Sequence, residues 1–270
     1  MLTRCACHNG RIGCEGALAG AADVGSGSPA PRSAGPVEEA LLDDLAAASR
    51  ILAAQAVLDA FGHVSMRHPT APDRFIMSRS LAPALVRPND IMEFSLDGEP
   101  CDRQGRGVFL ERFIHGEIYR GRSDVQSVVH SHSPAVIPFG LVGVPMRAMY
   151  HNAAFLAEGV PVFDIADAFG PTDMLIGNPQ KGRALAAALG DKAVVLMRGH
   201  GSVAVGPSVQ AAVFRAIMTE TNAKLQTQAT FLSHGGLVAA LSPEEGRLAD
   251  EINLRVISRP WELWKKSVSD

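Results

Sequence analysis

The residues best equipped for chemistry in this chain are His130 and His132, in the run VVHSHSP (128–134). Side chains alternate along a strand, so residues two apart share a face. Two imidazoles side by side suit either a solvent-edge pair or two ligands of one metal ion. Zinc, manganese and iron sites commonly take three protein ligands and leave a position open. The candidate third ligand is His200, which follows the apolar run AVVLM (193–197) between Gly199 and Gly201. Those glycines allow backbone or ligand to come close. Glu111 is a fourth element, at the start of a helical pattern with His115 one turn on. In one reading Glu111 complements the helix dipole and His115 simply faces the sheet. In the other, Glu111 stands beside a metal as an acid/base group or a further ligand.

Local patterns supply the elements that must hold these groups. Residues 37–60 carry apolar side chains at helical spacing. FGHVSMRHP (61–69) reads as a Gly break and a short alternating strand, DRFIMSRS (73–80) as its antiparallel partner, and NDIMEFSLDGEP (89–100) as a strand with an Asp-Gly turn. A helix is expected over 109–122, and a helix-like segment after the histidine strand. VPMRAMYHNAAFL (144–156) and VPVFDIAD (160–167) read as strand and loop. A helix over 178–190 ends at Gly190, and two strands flank the Gly-His-Gly turn of 193–206. A long helix over 207–236 begins with Pro207 at or near its first position. The tail reads as helical up to about Pro260. No internal repeat is visible, and strands and helices mix without a regular βαβ rhythm. The expected fold is α/β: a three-layer α/β/α domain with a mainly antiparallel central sheet.

The 270 residues, 47% hydrophobic, 20% charged and of net charge −3, suit one globular domain with a sizeable core. Residues 1–36 are read as a disordered arm, rich in Gly, Ala, Ser and Pro and without the apolar region of a secretory signal. Residues 37–270 form the domain. Cys5, Cys7 and Cys14, with His8, match no common zinc spacing, so no metal is expected there. Cys101 has no evident partner, and a reducing cytoplasm is the default location. The low net charge argues against a nucleic-acid partner, and no apolar run is long enough for a membrane span.

The segment ERFIHGEIYR…DVQSVVHSHS, followed by VVLMRGHG, resembles the class II aldolase/adducin family over about residues 40–235. The resemblance implies the layered fold above and homotetramers with active sites at subunit interfaces. It also implies a divalent metal on His130, His132 and His200, with Glu111 as the acid/base group. The expected metal is manganese, with zinc or iron as alternatives, and no organic cofactor. Sugar-phosphate members of the family place small hydroxyl residues before the glutamate. Here Phe109 and Leu110 stand there, and an apolar pair would leave a phosphate unpaired. His63, in GHVS, replaces an asparagine. A flat aromatic acid is therefore the expected substrate, its ring between apolar side chains. His63, Arg79 and Ser80 are expected to receive its carboxylate, Arg79 by a bidentate pair. Tyr150 or His151 falls where aldolase relatives carry an acid tyrosine.

GHVS and the Trp-bearing tail resemble the branch that decarboxylates 3-hydroxy-2-methylpyridine-4,5-dicarboxylate in vitamin B6 breakdown. Other expectations are an iron oxygenase of a prenylated hydroxyphenylpyruvate or mandelate, an aldolase of a non-phosphorylated substrate, or a non-catalytic adducin-like domain. Phe109 and Leu110 would raise the Glu111 pKa by desolvation, and a metal would oppose them. Trp261 and Trp264 pack either on their own subunit, the favoured reading, or over a neighbour or the site mouth.

Overall fold

A computed structural model describes residues 30–269; Cys5, Cys7, His8 and Cys14 lie outside the described residues. Residues 30–36 carry no helix or strand, and Ser33 and the Ala34 amide donate to the Glu93 carboxylate. In chain order the regular elements are α1 (Glu39–Ala54), β1 (His63–Arg67), β2 (Arg74–Ser78), β3 (Ile91–Ser95), α2 (Arg112–Gly121) and β4 (Ser127–Ser131). There follow β5 (Val162–Phe163), α3 (Ile165–Phe169), α4 (Pro179–Leu189), β6 (Val194–Met197), β7 (Gly201–Gly206), α5 (Val209–Leu232), α6 (Pro243–Arg255) and α7 (Ser258–Ser267).

The seven strands form one sheet in the order β3-β2-β1-β4-β7-β6-β5. Every pairing is antiparallel except β5 with β6. Alternation along the strands divides the core in two. Val64, Met66, Val129 and Ala204 pack with α1 and α5, whereas Phe75, Val128, Val195 and Val203 pack with α2 and α4. The expected three layers are therefore present.

Strand β1 departs from simple patterning. Val64 and Met66 face one core, and the polar His63, Ser65 and Arg67 face the other, yet all five residues are buried. Arg67 is satisfied by the carbonyls of Pro72, Tyr119, Arg122 and Val125. Polar residues can occupy an interior face only when such partners are present.

Several boundaries differ from the sequence expectations. Helix α1 stops at Ala54, and Ala56 adopts a left-handed φ of 55°. Pro207 precedes α5, whose N-cap is Ser208, with its hydroxyl accepting from the Ala211 amide. Segment 145–149 joins no strand. Its backbone bonds instead to two side chains of α5: Asn222 bridges Met149 N and Arg147 O, and Gln226 bridges Arg147 N and Pro145 O. Helix continues past Pro260, which lies in the first turn of α7, where a missing N–H costs little. Trp261 is buried in the α1/α5 core, and Trp264 packs beside it against Phe214.

Strands β4 and β7 approach closely at the histidine end. A Cβ on Gly201 would fall on the Ser131 carbonyl. Gly201→Ala is expected to destabilise the fold by about 3 kcal/mol through overpacking, read as a lowered urea midpoint with an unchanged m-value.

Candidate metal centre and adjoining cavity

His130 lies near the end of β4, opposite His63 on β1 and Val203 on β7. His132 comes one residue past the strand, and His200 sits in the turn between β6 and β7. Glu111 is the N-cap residue of α2, but its side chain caps nothing in that helix. It turns inward instead, and Oε1 accepts the Ile176 amide at 2.9 Å. One ligand atom from each of Glu111, His130, His132 and His200 lies within 4.8 Å of every other.

Hydrogen bonds at the outer nitrogens explain the aim of two rings. His130 Nδ1 lies 3.1 Å from the Ser202 carbonyl and His200 Nδ1 3.2 Å from the Met174 carbonyl. A carbonyl can only accept, so both Nδ1 atoms carry the proton and both Nε2 atoms offer a lone pair inward. His132 Nδ1 lies 3.6 Å from Asp59 Oδ1. The Nε2 atoms of His130 and His132 are buried without a hydrogen-bond partner among the described residues. Glu111 Oε2 is 3.4 Å from His130 Nε2 and 3.5 Å from His200 Nε2. Orphaned inward lone pairs beside a buried carboxylate are what a divalent cation satisfies, so the donor set fits one.

Burial acts to raise the Glu111 pKa, as Phe109 and Leu110 suggested; when His130 and His200 also carry a proton on Nε2, their charge outweighs burial and lowers it. Burial, aided by neighbouring His115 and His130, holds His63 well below the ordinary histidine value. His115 is lowered to about 3, first by burial and then by His130.

Beside the cluster lies a cavity of about 530 Å³, lined among others by Phe61, His63, Ser80, Phe109, Leu110, Glu111 and His132. The ring of Phe109 lies 4.6 Å from that of His63. No lysine or arginine is among its described lining residues. Arg79 does not reach it: Nε is held by Asp90 Oδ1 at 2.7 Å. Tyr150 is also elsewhere, packed against the α1/α5 core with its hydroxyl donating to Met218 Sδ at 3.1 Å. His151 is exposed and outside the cavity lining. Sequence reading missed Asp59, Ser65, Tyr119 and the Met174–Ile176 segment. The only hint was the polar alternation of β1, which ordinarily marks a solvent face.

With this geometry in view, the comparisons decide the family. Residues 43–227 match the family model described as the Class II Aldolase and Adducin N-terminal domain. The chain belongs to that family. It is 40% identical over 234 residues to the decarboxylase tropJ of Talaromyces stipitatus, covering 78% of this chain and 88% of that protein. It is 32% identical to a 3,4-dihydroxyphthalate decarboxylase of Arthrobacter keyseri, covering 73% and 81%. Among solved structures, an aldolase II superfamily protein from Pseudomonas syringae superposes with a TM-score of 0.71 at 22% identity, covering 87% of this chain and 94% of that one. That likeness concerns the fold.

Two outcomes follow from this site. Titrating the purified chain with Mn²⁺ or Zn²⁺ should show one tight site per chain, weakened about tenfold or more in His132→Ala; calorimetry reads both. Folding should also depend on pH through His115. Its folded pKa lies below the unfolded value, so its contribution is complete above about pH 6.5 and is lost as pH falls toward about 3. Between about pH 6.5 and about pH 5 the loss is roughly 2 kcal/mol. Urea titrations of wild type and His115→Gln should show the smaller pH slope in the variant.

Proposed function

We propose that the protein is a metal-dependent carbon–carbon lyase that decarboxylates a hydroxylated aromatic acid. The observation that carries this reading is a three-histidine, one-carboxylate cluster opening into a largely apolar cavity with no lysine or arginine in its described lining. The decarboxylase relatives support it. Such a lining suits a flat ring and leaves a phosphate unpaired. His130, His132 and His200 would hold the cation, with manganese the first expectation and zinc or iron the alternatives. A bound divalent cation would supply Lewis-acid charge for the electrons left when CO₂ departs.

The substrate class follows from shared chemistry. Both 3-hydroxy-2-methylpyridine-4,5-dicarboxylate and 3,4-dihydroxyphthalate carry a hydroxyl, a carboxylate and a second carboxylate on consecutive ring atoms. We take that pattern as the substrate signature. Phe109 and Leu110 flank the ring. His63 and Ser80 receive the second carboxylate, without Arg79. Glu111, as a carboxylate fixed by Ile176 N, takes up a proton through a water or from the ring hydroxyl and returns it to the ring carbon. Breaking the ring–carboxylate bond leaves its electron pair on the ring, and that proton fills the position. The electrons move within the ring, so no organic cofactor is needed.

A homotetramer with sites at subunit boundaries belongs to this reading. Phe61 and Leu110, 68% and 64% exposed at the cavity rim, support it. A cytoplasmic location remains the expectation; among the described residues no helix is long and apolar enough to cross a membrane.

The test is CO₂ release from each of the two dicarboxylates by metal-loaded protein with oxygen excluded. Wild type should release it, with kcat down at least about 10²-fold in Glu111→Gln, as expected for a lost acid/base group. Product formation that needs oxygen would replace this reading with an iron oxygenase.

A further inference from the structure

Behind His63 runs a buried line of polar groups that the proposed chemistry does not use. His63 Nδ1 lies 2.6 Å from His115 Nε2, and His115 Nδ1 lies 2.6 Å from Ser65 Oγ. Ser65 Oγ in turn lies 2.7 Å from the Tyr119 hydroxyl. The four residues are between 0% and 4% exposed. They bridge β1 and α2, on the sheet face that also carries His130.

Each link holds one proton, so the direction of donation at one end sets it throughout. The Tyr119 end decides. A buried phenol proton needs an acceptor, and leaving it without one costs about 1–3 kcal/mol. The one hydrogen-bond partner of the phenol oxygen among the described residues is Ser65 Oγ, at 2.7 Å. That oxygen is therefore the acceptor. Tyr119 thus donates to Ser65. The single serine proton then goes to His115 Nδ1, which must be bare. His115 carries its proton on Nε2 and donates to His63 Nδ1. The remaining proton of a neutral His63 ring is on Nε2, its one polar atom left for the cavity.

We propose that Tyr119, Ser65 and His115 are positioning residues that lock His63 as the Nε2–H tautomer, a fixed hydrogen-bond donor to an anionic oxygen of the ligand. The cation cluster shows the opposite arrangement. His130 and His200 donate through Nδ1 to carbonyls and offer Nε2 as a lone pair. The chain therefore distinguishes adjacent imidazoles by their outer partners: a carbonyl behind a ring makes a ligand, and a donor behind a ring makes a donor in front. The line ends inside the protein at Tyr119, 2% exposed, so it orients His63 and does not conduct protons to solvent.

That the ligand is a ring carboxylate rests on the function proposed above; the tautomer does not. Neutron diffraction from deuterium-exchanged crystals of the zinc-loaded full chain reads it directly. Wild type should show a deuteron on His63 Nε2 and none on Nδ1, with His130 and His200 carrying theirs on Nδ1. A deuteron on His63 Nδ1 with a bare Nε2 would overturn the proposal. In Ser65→Ala the lock should fail, giving deuteron density at both His63 nitrogens; an unchanged single tautomer would show that the line does not set it. In turnover, Ser65→Ala should raise KM for the dicarboxylate about tenfold while kcat changes less, the size of one neutral hydrogen bond. The predicted tautomer in a protein that releases no CO₂ would uphold the lock and reject the substrate.

Discussion

Three imidazole nitrogens and a carboxylate oxygen lie within 4.8 Å of one another, on two buried and two partly buried residues. Negative ends of dipoles packed together away from water repel one another unless a positive charge lies among them. Most of the local architecture resists that repulsion. The Ser202 and Met174 carbonyls and the Ile176 amide each hold one member from behind. The sheet contributes rigidity: β4 sits in its middle, bonded to β1 and β7, and carries His130. The closeness of Gly201 to Ser131 lets the turn bearing His200 close over the end of β4.

The cavity applies the same logic with the polarity reversed. It has apolar walls and no described cationic side chain, so its few polar groups matter individually. An anionic ring would find its charge met at the cluster and its second carboxylate met by His63 and Ser80. This explains how one face of β1 can be polar and wholly buried: Ser65 and Arg67 each have a partner on or beside α2.

Much of this was legible in the sequence because the relevant signals are short-range. The spacing of His130 and His132, the Gly-His-Gly turn and the antiparallel hairpin of β1 and β2 follow from strand periodicity and turn chemistry. So does the layered fold. Other features depend on distant residues. Segment 145–149 has the alternation of a strand but finds its partners on Asn222 and Gln226. Arg79 has the chemistry of a carboxylate receptor, yet Asp90 occupies it. The buried line behind His63 spans residues 63 to 119 and joins only after β1 packs on α2. Glu111 was found for its chemistry, but its neighbours there are two histidines that reach it from β4 and the β6–β7 turn.

The segment from Met174 to Ile176 gains importance from what it touches. Met174 holds a left-handed φ of 66°, a conformation that costs a non-glycine residue energy. Its carbonyl accepts from His200, and two residues on, the Ile176 amide donates to Glu111. One short stretch of backbone thus braces two members of the cluster from outside it. A ligand that binds more tightly when this stretch is in place also stabilises the stretch, by that same coupling free energy. Selection on cation affinity can therefore act on residues 173–177, none of which offers a ligand atom to the cluster.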